Sequence, residues 1–460
     1  MTKYDDEQLD AKLQDFYSGD VPVLEFDGGE AGRGIQTAKL HRMNRGLVTA
    51  LVGVVVLAML SGMWVWHSQQ TNGHSSKNLM DGIQTSHISY DMDAVDLAPA
   101  VADFGVGLLR QSLRSNQNCL VSPLSAEMAL AMTANGAGGQ TLEQMMKVLA
   151  GGGDLDQLNT FLNRYVSSLP NEPSSKFHMA NSIWLNDSQD VQVVPSFLQA
   201  NADWFGAGVF SAPFSAQTVR DMNDWVAKQT DDMIKDLVKS LDPKSDAVVL
   251  LNALAFDAKW QQPYYDHNIT QDTFTTEDGV GQSAQFLNSM ESTYLDDGKA
   301  TGFVKSYDGD GYRFVALLPN EGVSMPDYLA SLNWTETMQS ATSDSVWAIL
   351  PEFSFDFSVD MNDALQAMGM TDAFTSSADF GQMGTMNGQP LYIGLVKQKT
   401  HIDVTPLGTT AGAATEVVMM GGSAMVESKI VKLDRPFVFA IVDSATELPI
   451  FIGVVNSLNG

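Results

Sequence analysis

An apolar run at residues 47–66 constrains this chain most, because twenty consecutive residues there carry no charge. As an α-helix the run would rise about 30 Å, the thickness of the hydrocarbon core of a bilayer. A buried core helix and a cleaved signal peptide are the alternatives. A signal peptide fits badly, since 46 residues precede the run and the run continues into Trp64-Val65-Trp66 without a small-residue cleavage site. The sequence therefore predicts one transmembrane helix over residues 46–67.

Basic residues beside the run predict its direction across the membrane. Lys39, Arg42 and Arg45 lie just before it, whereas the only nearby basic residue after it is Lys77. Because basic flanks stay on the cytoplasmic side, residues 1–45 should form a cytoplasmic tail. The prediction is a single-pass protein of the cell membrane whose C-terminal domain is extracellular.

Composition divides the rest of the chain into a polar tether, residues 68–94, and a large domain, residues 95–460. With 44% hydrophobic and 18% charged residues, the chain can bury a large core. Its net charge of -29 would repel nucleic-acid phosphates, so nucleic-acid binding is not expected. The single cysteine, Cys119, excludes an intramolecular disulfide and is expected to be a small buried side chain.

Two hydrophobic periods alternate in the large domain. A helical period predicts helices over 96–113, 125–134, 141–149 and 219–241. Short apolar or alternating runs predict strands over 247–256, 314–318, 347–350 and 437–442. Since helices cluster early and strands late, the pattern favours an α+β domain with large sheets.

Several motifs in the domain occur in an order that resembles the serpin family over about 365 residues. They are NCLVSPLS at 118–125, GAGGQT at 136–141, ANSIW at 180–184, Asn223-x-Trp225-Val226, LNALAF at 251–256, LP-x-F at 350–353, RPFVF at 435–439 and PIFIG at 449–453. The resemblance implies a serpin fold, with helices packed on a large mixed β-sheet, smaller sheets, and an exposed reactive loop at 408–428.

The first part of that loop is built from small residues. It comprises Gly408, Thr409, Thr410, Ala411, Gly412, Ala413, Ala414 and Thr415. In a strand, the odd-numbered positions from 409 share one face and bear no charge, so the segment could enter a sheet without overpacking the core beneath. Taken alone, the same composition also suits a flexible glycine-rich linker. The flanking serpin-like motifs favour an inhibitory hinge.

The resemblance implies an irreversible suicide-substrate inhibitor of serine proteases. The protease would cut the loop, and the hinge would insert into the main sheet and trap the covalent acyl-enzyme. The alternative is a non-inhibitory serpin-fold binding or carrier protein at the cell surface. Ser122, Ser125 and Asn252 resemble the polar cluster beneath the opening sheet, and Trp260 the residue that caps the point of insertion. Ordinary core roles remain open for all four.

Two positions are candidates for the scissile bond. Counting from the hinge gives Gly422–Ser423, whereas counting back from Arg435-Pro436 gives Met425–Val426. Residues 409–428 contain no Lys or Arg, so elastase-like or subtilisin-like targets are favoured over trypsin-like ones. Pro406 departs from the acidic residue that inhibitory relatives often carry before the hinge.

Enzymatic motifs are missing from the sequence. The seven His residues are scattered, and there is no H-E-x-x-H, paired-Cys zinc motif, G-x-S-x-G or P-loop. We expect neither catalysis nor a metal or cofactor, and a monomer whose partners are the target protease and, through residues 47–66, a membrane.

Overall fold

A computed structural model of the chain describes residues 76–86, 96–172, 174–188, 190–244, 246–409 and 428–459. Its α-helices are α1 (Ala98–Ser112), α2 (Pro123–Ala134), α3 (Gly139–Ala150), α4 (Leu155–Ser168), α5 (Pro195–Phe205), α6 (Ala216–Gln229), α7 (Met325–Ser331), α8 (Trp334–Gln339) and α9 (Asn362–Met368). Short 3-10 helices lie at Asp266–Asn268 and Asp372–Phe374. The first three predicted helices are confirmed to within two residues.

A seven-stranded mixed sheet, hereafter the main sheet, runs through the molecule. Its strands are, in spatial order, β1 (Lys77–Asn78), β5 (Gly208–Ala212), β3 (Ser175–Asn186), β6 (Val248–Lys259), β17 (Gly408–Thr409), β16 (Ile393–Thr405) and β13 (Phe353–Asp360). Two pairs, β3 with β5 and β6 with β16, are parallel, and the others are antiparallel.

Three smaller sheets accompany the main sheet. The six-stranded sheet has the order β2 (Cys119–Val121), β20 (Pro449–Val455), β19 (Phe437–Asp443), β11 (Tyr312–Pro319), β10 (Ala300–Ser306) and β9 (Tyr294–Asp296). The four-stranded sheet has the order β18 (Lys429–Lys432), β12 (Val346–Pro351), β8 (Gly281–Glu291) and β7 (Ile269–Thr275). The third contains β15 (Gln389–Pro390), β14 (Gly384–Met386) and β4 (Val191–Val193). All four predicted strands are confirmed.

The buried side chains form three hydrophobic clusters that fix the layers. The largest joins the early helices to one end of the main sheet, and the second packs that sheet against the six- and four-stranded sheets. The third lies under α6 on the opposite face of β6. The lone Cys119 is fully buried, as predicted, and burial raises the pKa of its thiol.

The predicted helix over 219–241 is wrong in its second half. Helix α6 ends at Gln229, and Asp231, Asp232 and Asp236 then adopt positive φ angles. That left-handed conformation is incompatible with a continuing α-helix. The paired carboxylates of Asp231 and Asp232 are therefore not on a helix. The apolar period persists past Gln229 because Ile234 and Leu237 still pack on the main sheet as irregular chain.

Part of the predicted tether belongs to the main sheet instead. Lys77–Asn78 pairs antiparallel with β5, and Leu79 and Met80 pack against the largest cluster. The predicted transmembrane span, the cytoplasmic tail, hinge residues 410–415 and both candidate scissile bonds lie outside the described residues. Among the helices within the described ranges, none is long and apolar enough to cross a bilayer.

Helix α2 carries a buried acid, Glu127, whose hydrophobic surroundings make the stability of the protein depend on pH. Neither carboxyl oxygen has a hydrogen-bond partner among the described residues, and burial raises the pKa well above its usual 4.5. The folded protein therefore keeps a proton that the unfolded chain releases. This stabilisation is complete below about pH 4.5 and declines above it, by about 1.4 kcal/mol per pH unit while the folded form stays protonated.

We therefore expect Glu127→Gln to flatten the fall in unfolding free energy between pH 5 and pH 7. Urea unfolding at several pH values measures this slope. The same change at exposed Glu143 is the control and should leave the slope unaltered. A Glu127→Gln slope equal to that of the wild type would show that Glu127 is ionised in the folded state.

Candidate functional site

The predicted hinge begins inside the main sheet. Strand β16 ends at Thr405, the chain turns at Pro406-Leu407, and β17 returns antiparallel between β16 and β6. Below this two-residue strand, β6 and β16 pair directly with each other, from Val248 with Ile393 to Leu254 with Thr400. The main sheet is therefore open only between the C-terminal ends of β6 and β16, where Gly408–Thr409 already forms a short strand.

Gly408 is required where it stands. A Cβ at this position would lie 2.1 Å from the carbonyl oxygen of Ala258 and 2.8 Å from the Cα of Lys259. Since backbone atoms of a central strand cannot give way, a side chain here would force β17 away from β6. The glycine allows the hinge backbone to approach β6 closely enough to pair with it.

Thr409 points into the core, as its predicted face requires. Only 1% of the residue is exposed, and its Oγ1 lies 2.6 Å from the hydroxyl of Tyr307. Tyr307 is itself fully buried, and burial raises the pKa of its hydroxyl, so it remains a neutral hydrogen-bonding group. The first inward side chain of the hinge is therefore already bound in the hydrophobic interior.

Aromatic residues hold the turn that precedes the hinge. Trp260 donates its Nε1 hydrogen to the carbonyl oxygen of Thr405 at 2.9 Å and its backbone N–H to that of Leu407 at 3.0 Å. The backbone N–H of Tyr264 donates to the carbonyl oxygen of Pro406 at 2.8 Å. Trp260 thus lies beside the open end of the main sheet, the position that the resemblance implies. Pro406 sits in the turn, where no ladder N–H is needed.

A polar cluster lies where β6 and β16 meet beneath the hinge. The side-chain amide of Gln398 accepts from the N–H of Ser122 at 2.9 Å and donates to the carbonyl of Ser122 at 2.9 Å and to Oδ1 of Asn252 at 2.6 Å. Ser122 also caps α2 by accepting from the N–H of Ser125. The Ser125 hydroxyl lies 3.1 Å from the amide of Asn181.

The structure therefore brings Ser122, Ser125 and Asn252 together, as the resemblance implies, but through two residues that the sequence analysis missed. Gln398 and Asn181 connect them; Asn181 lies in the ANSIW motif, which gave it no role, and no motif contains Gln398. One signal was present: Gln398 is a buried polar residue that shares a face with apolar side chains of β16, such as Ile402. One donor, Nδ2 of Asn252, has no acceptor among the described residues.

A buried ion pair lies behind the aromatic residues. Lys305 is 2% exposed, and its Nζ lies 3.0 Å from Oε1 of Glu291. The same Nζ is 4.5 Å from the ring centre of Tyr264 and 5.5 Å from that of Trp260. Burial lowers the pKa of the Lys305 ammonium, and the Glu291 charge opposes that shift. The ammonium thus packs against the two aromatic residues that hold the turn.

Removing the Glu291 carboxylate alone should destabilise the folded protein, because the buried ammonium of Lys305 then has no counter-charge. We expect Glu291→Gln to lower the free energy of unfolding by about 3 kcal/mol. The double variant Lys305→Met/Glu291→Gln should recover most of that loss, since it buries no charge. Urea unfolding of the single, double and wild-type proteins measures both effects. A double variant as unstable as the single one would show that packing, not charge pairing, governs this site.

Comparison with known proteins agrees with this geometry. A family model described as serpin (serine protease inhibitor) matches residues 99–458. The crystal structure of tengpin, a thermophilic serpin, in its native state superposes with a TM-score of 0.80 at 42% identity, covering 84% of this chain and all of tengpin. Tengpin in its latent state gives a TM-score of 0.69 at 38% identity, covering 82% of this chain and all of that one.

Two sequence relatives extend the comparison. An uncharacterised serpin-like protein of Thermococcus kodakarensis is 28% identical over 90% of this chain and 99% of its own length. Intracellular coagulation inhibitor 2 of Tachypleus tridentatus is 27% identical over 80% of this chain and 92% of its own length.

The fold is a large mixed sheet that is open at one end, between β6 and β16. The start of the predicted reactive loop forms a short strand, β17, in that opening. With a family model covering most of its length, the chain belongs to the serpin family. Members of this family are generally serine protease inhibitors, and some are not inhibitory.

Proposed function

We propose that this protein is an irreversible suicide-substrate inhibitor of serine proteases, not an enzyme, which traps the acyl-enzyme by inserting its cut loop into the main sheet. The observation that carries the proposal is the position of Gly408–Thr409, already paired with both strands that would have to separate. A strand that continued from Thr409 would run between β6 and β16 toward the polar cluster.

The register supports the idea that the hinge sequence matches that gap. Thr409 is opposite Ala258 on one side and Val404 on the other. Continued antiparallel for six residues, the strand would bring Thr415 between Asn252 and Gln398. A hydroxyl there could accept from Nδ2 of Asn252, which has no acceptor within the described ranges, after the Gln398 bond is broken. Between these two threonines the inward positions, Ala411 and Ala413, are small and apolar.

The opposite face of the inserted strand has its own match. By the same register, Gly412 and Ala414 would lie under the cluster that α6 covers, where space is limited. Glu416 would arrive beside Lys397, whose ammonium now contacts only one carboxylate among the described residues, that of Asp360. The opposite charges of Glu416 and Lys397 would favour this register over its neighbours.

The chemistry follows from the target's own catalytic serine. The serine oxygen attacks the scissile carbonyl, the peptide nitrogen leaves with a proton, and an ester joins protease and hinge. The freed hinge then inserts, forming ladder hydrogen bonds and burying apolar surface. Because the hinge is attached to the protease, insertion moves the protease away from its starting position before water hydrolyses the ester.

The loop sequence favours an elastase-like or subtilisin-like target. No basic residue lies between Thr409 and Ser428, and the bonds Gly422–Ser423 and Met425–Val426 are flanked by small or apolar side chains. We therefore expect cleavage between Met420 and Val426. Pro406 does not argue against efficient insertion, since it stays in the turn outside the strand ladder.

Incubation of the full-length chain with pancreatic elastase and with subtilisin tests the proposal. An inhibitor forms a protease adduct that survives boiling in detergent, and mass spectrometry of the released C-terminal fragment locates the cut. A non-inhibitory carrier would be cleaved without forming an adduct. Cleavage without adduct by both proteases would reject the inhibitor assignment for these targets and favour the carrier function.

We also propose that residues 47–66 anchor the chain as a single-pass membrane protein, with the N-terminus cytoplasmic and the serpin domain extracellular. The uncharged run and the basic residues before it support this topology. We expect the full-length protein to remain in the membrane pellet after alkaline extraction, and its serpin domain to be accessible to protease added outside intact cells. Release by alkali would contradict the anchor.

A further inference from the structure

Exposed apolar side chains are concentrated at one place on the described surface. Four large hydrophobic residues are exposed in the described part of the chain: Val280, Met290, Trp347 and Ile430, by 54%, 55%, 44% and 63%. Three of the four are cross-strand neighbours in the four-stranded sheet, where Trp347 pairs with Met290 on one side and Ile430 on the other. We call Met290, Trp347 and Ile430 the apolar row.

The apolar row lies on the outer face of the four-stranded sheet. Along β12 the side chains alternate, so that Val346, Ala348 and Leu350 are buried beneath the sheet while Trp347 faces outward. Three adjacent strands present the row across about 10 Å. Contiguous apolar patches on an exposed surface often mark contact sites, and tryptophan is among the residues enriched at the centres of such sites.

We infer that the apolar row is a secondary docking surface for the body of the target protease, beside the reactive loop. This inference rests on the proposed inhibitory function. The loop re-enters the described structure at Ser428, two residues before Ile430. From either candidate scissile bond the chain has four to seven residues to reach Ile430, which is at most about 25 Å.

The size of a protease makes the contact geometrically reasonable. A compact domain of about 200 residues has a radius of gyration of about 16 Å, so its body extends about 20 Å from its centre. A protease bound at residues 422–426 would therefore cover surface at the distance of the row. The row would contact it on first encounter and be released when the cut hinge inserts and carries the protease away. It should therefore speed association without changing the steps after cleavage.

The test compares the full-length wild type with the triple variant Met290→Ser/Trp347→Ser/Ile430→Ser. Val280→Ser is the matched control, because Val280 is equally exposed and precedes β8 in the same sheet, about 30 Å along the strand from Met290. With pancreatic elastase and subtilisin as probes, the second-order rate constant of inhibition should fall at least about tenfold in the triple variant. The stoichiometry of inhibition should stay within about twofold, and Val280→Ser should match the wild type.

The outcomes are distinct. An unchanged rate constant in the triple variant overturns the docking surface while leaving the inhibitory function intact. A wild type that forms no adduct with either protease overturns the proposed function and this inference with it. A wild-type dimer that the triple variant dissolves, seen by light scattering, assigns the row to a second copy and also overturns the inference. Should the triple variant fail to fold, Met290→Ser/Ile430→Ser is expected to lower the rate constant about threefold, and an unchanged rate overturns the inference.

Discussion

The variant Thr409→Arg should be cleaved as a substrate instead of trapping its protease. Thr409 is enclosed between β6 and β16, with its hydroxyl bound to Tyr307, so an arginine there would bury an unpaired charge. Such burial costs about 4 kcal/mol, so in the uncut variant residue 409 should stay outside the sheet. Insertion of the cut hinge must then bury the charge, which slows insertion by about a thousandfold. Hydrolysis of the acyl-enzyme then precedes insertion, and we expect the stoichiometry of inhibition to rise more than about tenfold.

The matched control is Thr409→Val, which keeps the shape of the side chain and loses only the bond to Tyr307. The loss of about 1 kcal/mol affects the uncut and the inserted forms alike, so we expect insertion at close to the wild-type rate and most of the adduct intact. Gel analysis gives the adduct yield for both variants, and mass spectrometry should find the cut at the wild-type bond, because residue 409 lies far along the loop from it. If Thr409→Arg trapped protease as efficiently as the wild type, strand insertion through this gap would be ruled out.

Most of the fold was predictable because its signals are local. The apolar periods of α1, α2 and α3 and the apolar runs of β6 and β19 depend on burial that each segment carries in its own sequence. The prediction of a helix over 219–241 was wrong because it relied on the same local apolar period. Ile234 and Leu237 are buried at helical spacing, but three aspartates with positive φ end the helix, and the side-chain amide of Asn223 holds the following segment through Val238.

The site was predictable only in part, because its geometry comes from pairing between distant strands. The small residues from Gly408 onward indicated a hinge, but only the structure places Gly408 against the backbone of Ala258. Gln398 is 276 residues from Ser122, and Lys305 and Glu291 belong to different sheets, so no sequence spacing connects them to the site. Likewise, the apolar row is formed by three separate strands, each with one exposed hydrophobic residue.

Stored free energy in the uncut molecule is the second large effect we expect. In the uncut sheet, β6 and β16 pair directly over Val248–Leu254, whereas a cut hinge would add a strand with partners on both sides. A net gain of about 8 kcal/mol or more would raise the unfolding midpoint of a domain of this size by about 10 °C. Glu127 and the Lys305–Glu291 pair are present in both forms, so their contributions largely cancel in the comparison.

The most direct test is therefore the thermal unfolding midpoint of the full-length protein before and after cleavage of the loop by catalytic protease. Circular dichroism follows unfolding, and mass spectrometry verifies a single cut between Met420 and Val426. We expect the cleaved protein to unfold at least about 10 °C above the uncut one. Equal midpoints would mean that the cut hinge does not become a strand of the main sheet, and would contradict the inhibitory mechanism.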